Sequence, residues 1–171
     1  MKNIINKLFL INVLIISSTS WASDSVNLNF TGNIRVATCN ISNGDNVNVD
    51  LKNIPAANFE QANSGSNWND FYITFTDCST AINQISVTFS GISDTADINS
   101  LYKNQGTAKN IAVQLENGPG SIKLGNKKSL VVTLNGRNDV RLWLRTRAFS
   151  PSGKGMPGTI SAKVTANIVY L

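Results

Sequence analysis

The chain has 171 residues, 15 Lys and Arg against 10 Asp and Glu, two cysteines and no histidine. Without histidine the usual general base for proton transfer near neutral pH is missing, which excludes Ser-His-Asp and Cys-His catalysis. Two cysteines and no histidine cannot build a standard zinc site, and the basic residues are too scattered for a nucleic-acid surface. The sequence therefore predicts no enzyme, no metal, no cofactor and no nucleic-acid partner.

Residues 1–22 read as a secretory signal. Lys2 and Lys7 form a positive start, Leu8–Ile16 is an apolar run broken only by Asn12, and Ser20-Trp21-Ala22 supplies small residues at a cleavage site. A bilayer span needs about 20 apolar residues, so this run is too short, and the chain is not expected to be embedded in a membrane. Cleavage after Ala22 leaves 171 − 22 = 149 residues, enough for one domain with a core, and a charge of 13 − 10 = +3.

A strand pattern follows at once. Val26, Leu28, Phe30 and Ile34 alternate with Asn27, Asn29, Thr31 and Asn33. On pattern alone this segment is either the first strand of its own sheet or a strand that adds to another chain. Cys39 and Cys78 both lie in the secreted portion, where an even pair in a small β-rich domain usually forms one disulfide; free thiols or metal ligands are the competing reading.

Period-two alternation dominates from there. Val47, Val49 and Leu51 predict a strand; 58–70 is polar and predicts a loop. Phe71, Ile73 and Phe75 lead to Cys78, and Ile85, Val87 and Phe89 end at Gly91. Residues 93–109 predict a loop with a helical turn at Ile98–Tyr102. Ile111, Val113 and Leu115 precede the Asn117-Gly118-Pro119-Gly120 turn, after which Ile122 and Leu124 resume the alternation. Leu130–Leu134 and Val140–Leu144 flank Asn135-Gly136, a hairpin signal. Ile160, Ala162, Val164, Ala166, Ile168 and Tyr170 share one face of a long terminal strand. The fold class is all-β, a β-sandwich of immunoglobulin-like type.

Other features read blandly. Gly118-Pro119-Gly120 and Gly153-Lys154-Gly155 open no helix after a strand and are turns, not phosphate loops. The carboxylates are spread singly, against a paired-carboxylate glycosidase. Trp68, Tyr72 and Trp143 are candidate sugar-stacking residues, with packing or plain surface as the alternative.

In this order and spacing the chain resembles the structural subunits of chaperone–usher fimbriae, and is similar to the minor or adaptor subunits of type 1 fimbriae. The resemblance rests on a signal followed by an alternating tail with Gly32 among Val26, Leu28, Phe30 and Ile34. It also rests on Cys39 shortly after, Phe71-x-Ile-x-Phe-x-x-Cys78, a strand ending Phe89-x-Gly91, and Gly158 fourteenth from the end with Tyr170 penultimate. It covers most of the secreted portion.

The resemblance implies an incomplete immunoglobulin-like sandwich lacking its final strand, completed by a neighbouring subunit's donor strand. It divides the chain into a signal (1–22), a donor-strand extension (23–36) and a pilin domain (37–171). Val26, Leu28, Phe30, Gly32 and Ile34 would donate. Gly158, Ile160, Val164, Ile168, Tyr170 and Leu171 would form the strand that a periplasmic chaperone engages. The implied partners are other pilus subunits, that chaperone and an outer-membrane usher; the implied location is the cell-surface fimbrium after transit through the periplasm. An adaptor role is favoured over a major shaft pilin or a terminating subunit. The reading from another class is a self-contained secreted carbohydrate-binding sandwich.

Overall fold

The computed structural model describes residues 38–42, 44 and 46–171, with Asn29 and Thr31 besides. The chain divides into two units, Met1–Ile34 and Arg35–Leu171, and every strand named below belongs to the second. The signal reading of residues 1–22 lies outside the described residues.

The strands are β1 (Asn40–Ile41), β2 (Ser64–Gly65), β3 (Asn69–Thr76), β4 (Gln84–Gly91), β5 (Leu101–Lys103), β6 (Ala112–Asn117), β7 (Lys128–Thr133), β8 (Val140–Ser150) and β9 (Val164–Tyr170). Among the described residues the only helical element is a 3-10 turn, Ala56–Phe59. A six-stranded antiparallel sheet runs β1-β3-β8-β6-β5, with β2 sharing an edge of β8 with β3; a three-stranded sheet runs β7-β4-β9. The fold is all-β, as the alternation predicts.

Alternation decides which face each strand buries. In β8, Leu142, Leu144, Thr146, Ala148 and Ser150 are buried, while Trp143, Arg145, Arg147 and Phe149 point away. In β4, Ile85, Val87 and Phe89 face the opposite sheet and are at most 2% exposed. These meet Phe75, Leu115, Leu124, Leu134 and Tyr102 in one continuous core. The disulfide Cys39–Cys78 ties the start of β1 to the end of β3.

Four local expectations change. The Asn135-Gly136 turn forms, with φ of 50° and 75° and Arg137 N–H donating to the Leu134 carbonyl at 3.0 Å. It is not a hairpin, because β7 pairs with β4 and β8 pairs with β3. A turn signal reports local backbone geometry; burial of Leu134 and the pull of Ile85 and Val87 on β7 send the two arms to different sheets. Val47, Val49 and Leu51 lie in a segment with no ladder partner among the described residues, rather than in a strand. Ile122 and Leu124 make no strand beyond an isolated bridge, Glu116 to Lys123. The 97–101 segment closes a single turn, Leu101 N–H to the Asp97 carbonyl, and Leu101–Lys103 then pairs with β6 instead of continuing as helix.

Tyr102 is buried at 1% exposure, and its hydroxyl donates to the Leu124 carbonyl at 2.9 Å. Burial pushes its phenol well above the ordinary range. The unfolded chain therefore loses this proton first, so the contribution is intact below about pH 10 and lost as pH rises beyond it. Tyr102→Phe is expected to cost about 1–3 kcal/mol at neutral pH, by stranding the Leu124 carbonyl, and to flatten the alkaline fall in the urea midpoint. Replacing both cysteines by serine should cost about 4 kcal/mol for the 39-residue separation, read as a lower urea midpoint than that of the oxidised protein.

Candidate functional site

β9 is the last strand of its sheet: β4 covers one edge, and no strand among the described residues covers the other. Its alternation is regular. Val164, Ala166, Ile168 and Tyr170 turn inward and the residues between turn outward, and the pattern extends upstream through Ala162 and Ile160. Every one of these inward residues is only half-buried, whereas their β4 neighbours Ile85, Val87 and Phe89 are fully covered. The difference is one missing layer of side chains.

The gap is a groove of about 1210 Å³. One wall is the terminal arm, 155–168; the other is the strap Asn46–Ile54. The floor comes from both sheets and includes Phe71, Ile73, Phe89, Tyr102, Val113, Leu115 and Leu144. The strap makes no backbone–backbone hydrogen bond among the described residues. It bends at Lys52, where φ is 64° and the Asp50 carboxylate accepts both the Lys52 N–H and its ammonium. The Lys52 amide, more than its charge, holds the exposed Asp50 carboxyl below its ordinary range. The groove therefore offers an apolar floor between two backbone edges whose donors and acceptors no described strand engages, which is the requirement for strand addition.

The walls are tied at both ends. At one end the Tyr170 hydroxyl donates to the Cys39 carbonyl at 3.3 Å. Leu171 is seated there too: its N–H donates to the Gln84 carbonyl, and its own carbonyl accepts from Asn83 and Gln84. At the other end Leu51, Ile54 and Ile160 pack on a second cluster of Phe59, Ala108, Ile111 and Ala148. Between β9 and this cluster, 159–161 is held by loop contacts and not by a ladder: Ala108 N–H donates to the Thr159 carbonyl and Gln105 N–H to the Ser161 carbonyl, while the Asn104 amide donates to the Thr159 carbonyl and accepts the Ser161 N–H through Oδ1. The predicted terminal strand is therefore regular only from Val164.

Among the residues singled out from sequence, Ile160, Val164 and Ile168 line the groove together with Gly158. Tyr170 and Leu171 instead fix the chain end. Gly158 has φ 156°, and a Cβ there would run into the Ala108 backbone, so this glycine allows the arm to pass close to 107–108. The proposed donor residues Val26, Leu28, Phe30, Gly32 and Ile34 lie outside the described residues. The strap was legible only as alternation at Val47, Val49 and Leu51, and the floor residues only as core strands; no local signal marks either as one side of a gap.

A family model described as "Fimbrial protein" matches residues 28–170. The chain is 36% identical over 141 residues to the S-fimbrial adhesin protein SfaS of Escherichia coli O6:K15:H31 (strain 536 / UPEC), covering 82% of each chain. It is 28% identical over 159 residues to Protein FimG of Escherichia coli (strain K12), covering 92% of each. Among solved structures, the P pilus rod subunit PapA matches with a TM-score of 0.65 at 20% identity, covering 79% of this chain and 100% of that one. The P pilus adaptor subunit PapF matches with a TM-score of 0.54 at 17% identity, covering 81% and 100%. The shared fold is an immunoglobulin-like sandwich that lacks a strand.

Gly158→Ala is expected to lower the chain's own stability by about 1–3 kcal/mol, through backbone strain and the collision with Ala108. Urea unfolding of the isolated variant would show it; an unchanged midpoint would mean that the 107–108 backbone yields.

Proposed function

The chain belongs to the fimbrial protein family, whose members are pilus subunits and not enzymes, and on that premise we propose that its open groove is the acceptor for a strand donated by the next subunit. The observation that carries this is the half-buried inward face of the terminal arm beside a fully buried β4. A donated strand would cover that face and bond to the free edge of β9.

In this reading residues 1–22 are a signal, 23–36 form the extension this subunit donates, and 37–171 form the pilin domain. Val26, Leu28, Phe30 and Ile34 would each bury a side chain, about 6–12 kcal/mol gross before ordering costs. Gly32 would sit where the neighbour's groove has no room for a side chain, and a one-residue slip would drive the tail's asparagines into an apolar floor. In the periplasm a chaperone strand occupies the groove along the arm from Gly158 to Leu171, and the usher exchanges it for a subunit tail before the fimbrium emerges at the cell surface. Pilus subunits that each accept one strand and donate another form a chain, and we place this one as a minor adaptor near the tip.

Coexpression with a pilus chaperone is expected to raise the soluble periplasmic yield several-fold; the same yield of stable monomer without it would overturn the groove reading. Phe30→Asp should leave chaperone capture intact and stop incorporation of the subunit into pili, measured by pull-down and by electron microscopy of the same cells. A synthetic 23–36 peptide separates the subunit roles. Binding to this chain's own groove supports a self-polymerising shaft pilin, and failure to bind while the chaperone complex forms supports the adaptor.

A further inference from the structure

The outer face of the six-stranded sheet has a composition unlike the rest of the surface. All four arginines among the described residues, Arg137, Arg141, Arg145 and Arg147, lie on β8 or the turn that leads into it, whereas β3, β6 and β8 carry no lysine. Trp68, Tyr72 and Trp143 gather on the same face. Arginine and lysine solvate a surface equally well, but the guanidinium fork fits carboxylate and sulfate in a way the ammonium does not.

The face has two halves. In one, the groups satisfy one another. Arg145 bonds to Glu116 at 3.0 Å, Arg147 to Gln114 at 2.8 Å, and both guanidiniums lie over the Trp68 ring at 4.2 and 4.3 Å. Glu116 and Gln114 are buried and bonded to each other. This half is internal structure: of its buried side-chain donors only Arg145 Nε is left without a partner among the described residues, and it lies buried, out of a ligand's reach.

The other half is open. Tyr72 and Trp143 form a cross-strand stacked pair with ring centroids 6.4 Å apart, each 42% exposed. The pair is braced: Trp143 Nε1 donates to Asp70 at 2.9 Å, and Gly118 lies against the indole with no room for a Cβ. The next pair along the ladder, about 7 Å away, is Thr74 with Arg141. Arg141 and Arg137 line a cleft of about 460 Å³ with Thr76 and Asp139, and neither arginine makes an ion pair among the described residues. One Asp139 oxygen is engaged by the Asp77 N–H, which leaves the two guanidiniums as the dominant charge.

A rigid aromatic pair one ladder step from two guanidiniums that have no ion pair among the described residues matches a ring with an anionic substituent. We infer that this face binds an acidic saccharide, its carboxylate or sulfate held by Arg137 and Arg141 and its pyranose ring laid against Tyr72 and Trp143. An acidic peptide would use the arginines but not the aromatic surface. None of these residues lines the groove, so saccharide binding on this face is independent of strand exchange.

The test is binding of the full chain, as purified, to immobilised polygalacturonate (carboxylate), dextran sulfate (sulfate), neutral dextran and polyglutamate. Retention on either acidic glycan above both controls is expected, and the preferred one identifies the anion. Arg137→Ala with Arg141→Ala should weaken that binding by about tenfold or more, with unchanged thermal melting and unchanged incorporation into pili. Tyr72→Ala should weaken glycan binding without lowering polyglutamate binding. Equal retention on polyglutamate, indifference to Tyr72→Ala, or no retention at all would overturn the inference.

Discussion

Among the described residues β9 makes its backbone hydrogen bonds on one side only, and most of what distinguishes this sandwich stems from that asymmetry. A strand in the middle of a sheet has both edges satisfied and one face covered. Here no described residue pairs with the edge that faces the strap, and the inward side chains from Ile160 to Tyr170 stay half exposed while β4, one strand away, is sealed. The deficit is local and one strand wide. It is also large enough to matter, because a free apolar edge of this length is a template for uncontrolled association. Such an edge is a surface to which a further strand can add.

The rest of the molecule holds the gap open. If the strap and the terminal arm could close on each other, the floor would be buried internally and no groove would remain. The disulfide fixes the start of β1 against β3, and the Tyr170 hydroxyl ties the end of the arm to the same place. At the opposite end the second cluster, around Phe59 and Ile111, takes Leu51 and Ile54 from the strap and Ile160 from the arm. Both walls are thus pinned at their ends, and among the described residues they make no hydrogen bonds to each other along their length. Gly158 belongs to the same design, since it lets the arm cross close to the 107–108 backbone before β9 begins. This gives the glycine a role in the subunit's own fold, independent of any chaperone.

The two outer faces contrast in kind. Apart from the exposed Lys128 at the start of β7, the outward residues of β7, β4 and β9 are Ser, Thr, Val, Asn and Gln, with no charge among them. The other sheet turns arginines and aromatics outward, and half of these consume one another in stacked and ion-paired contacts while the remainder stay open. Solvation alone needs no such segregation, because the chain's lysines on loops and edges already supply it. The physical distinction is between charge used for solubility and charge placed beside a rigid ring.

The chain's pattern was sufficient for the all-β class, the cysteine pair, the inward faces of β3, β4, β6 and β8, and the alternation from Ile160 to Tyr170, because burial on one face of a strand forces period two. It also carried the family resemblance, in Gly32, Gly91, Gly158 and Tyr170 as punctuation. It did not reveal which strands would pair. Asn135-Gly136 makes the tight turn its residues encode, yet the arms separate into different sheets, since pairing is decided by which long-range apolar surfaces meet. Nor did it separate Val47, Val49 and Leu51 from a true strand, because alternation describes side chains and says nothing about whether a partner is present to accept the backbone. The groove exists only in three dimensions: it is the absence of a neighbour between two segments more than a hundred residues apart in sequence, 46–54 and 155–168, and an absent neighbour leaves no mark on either.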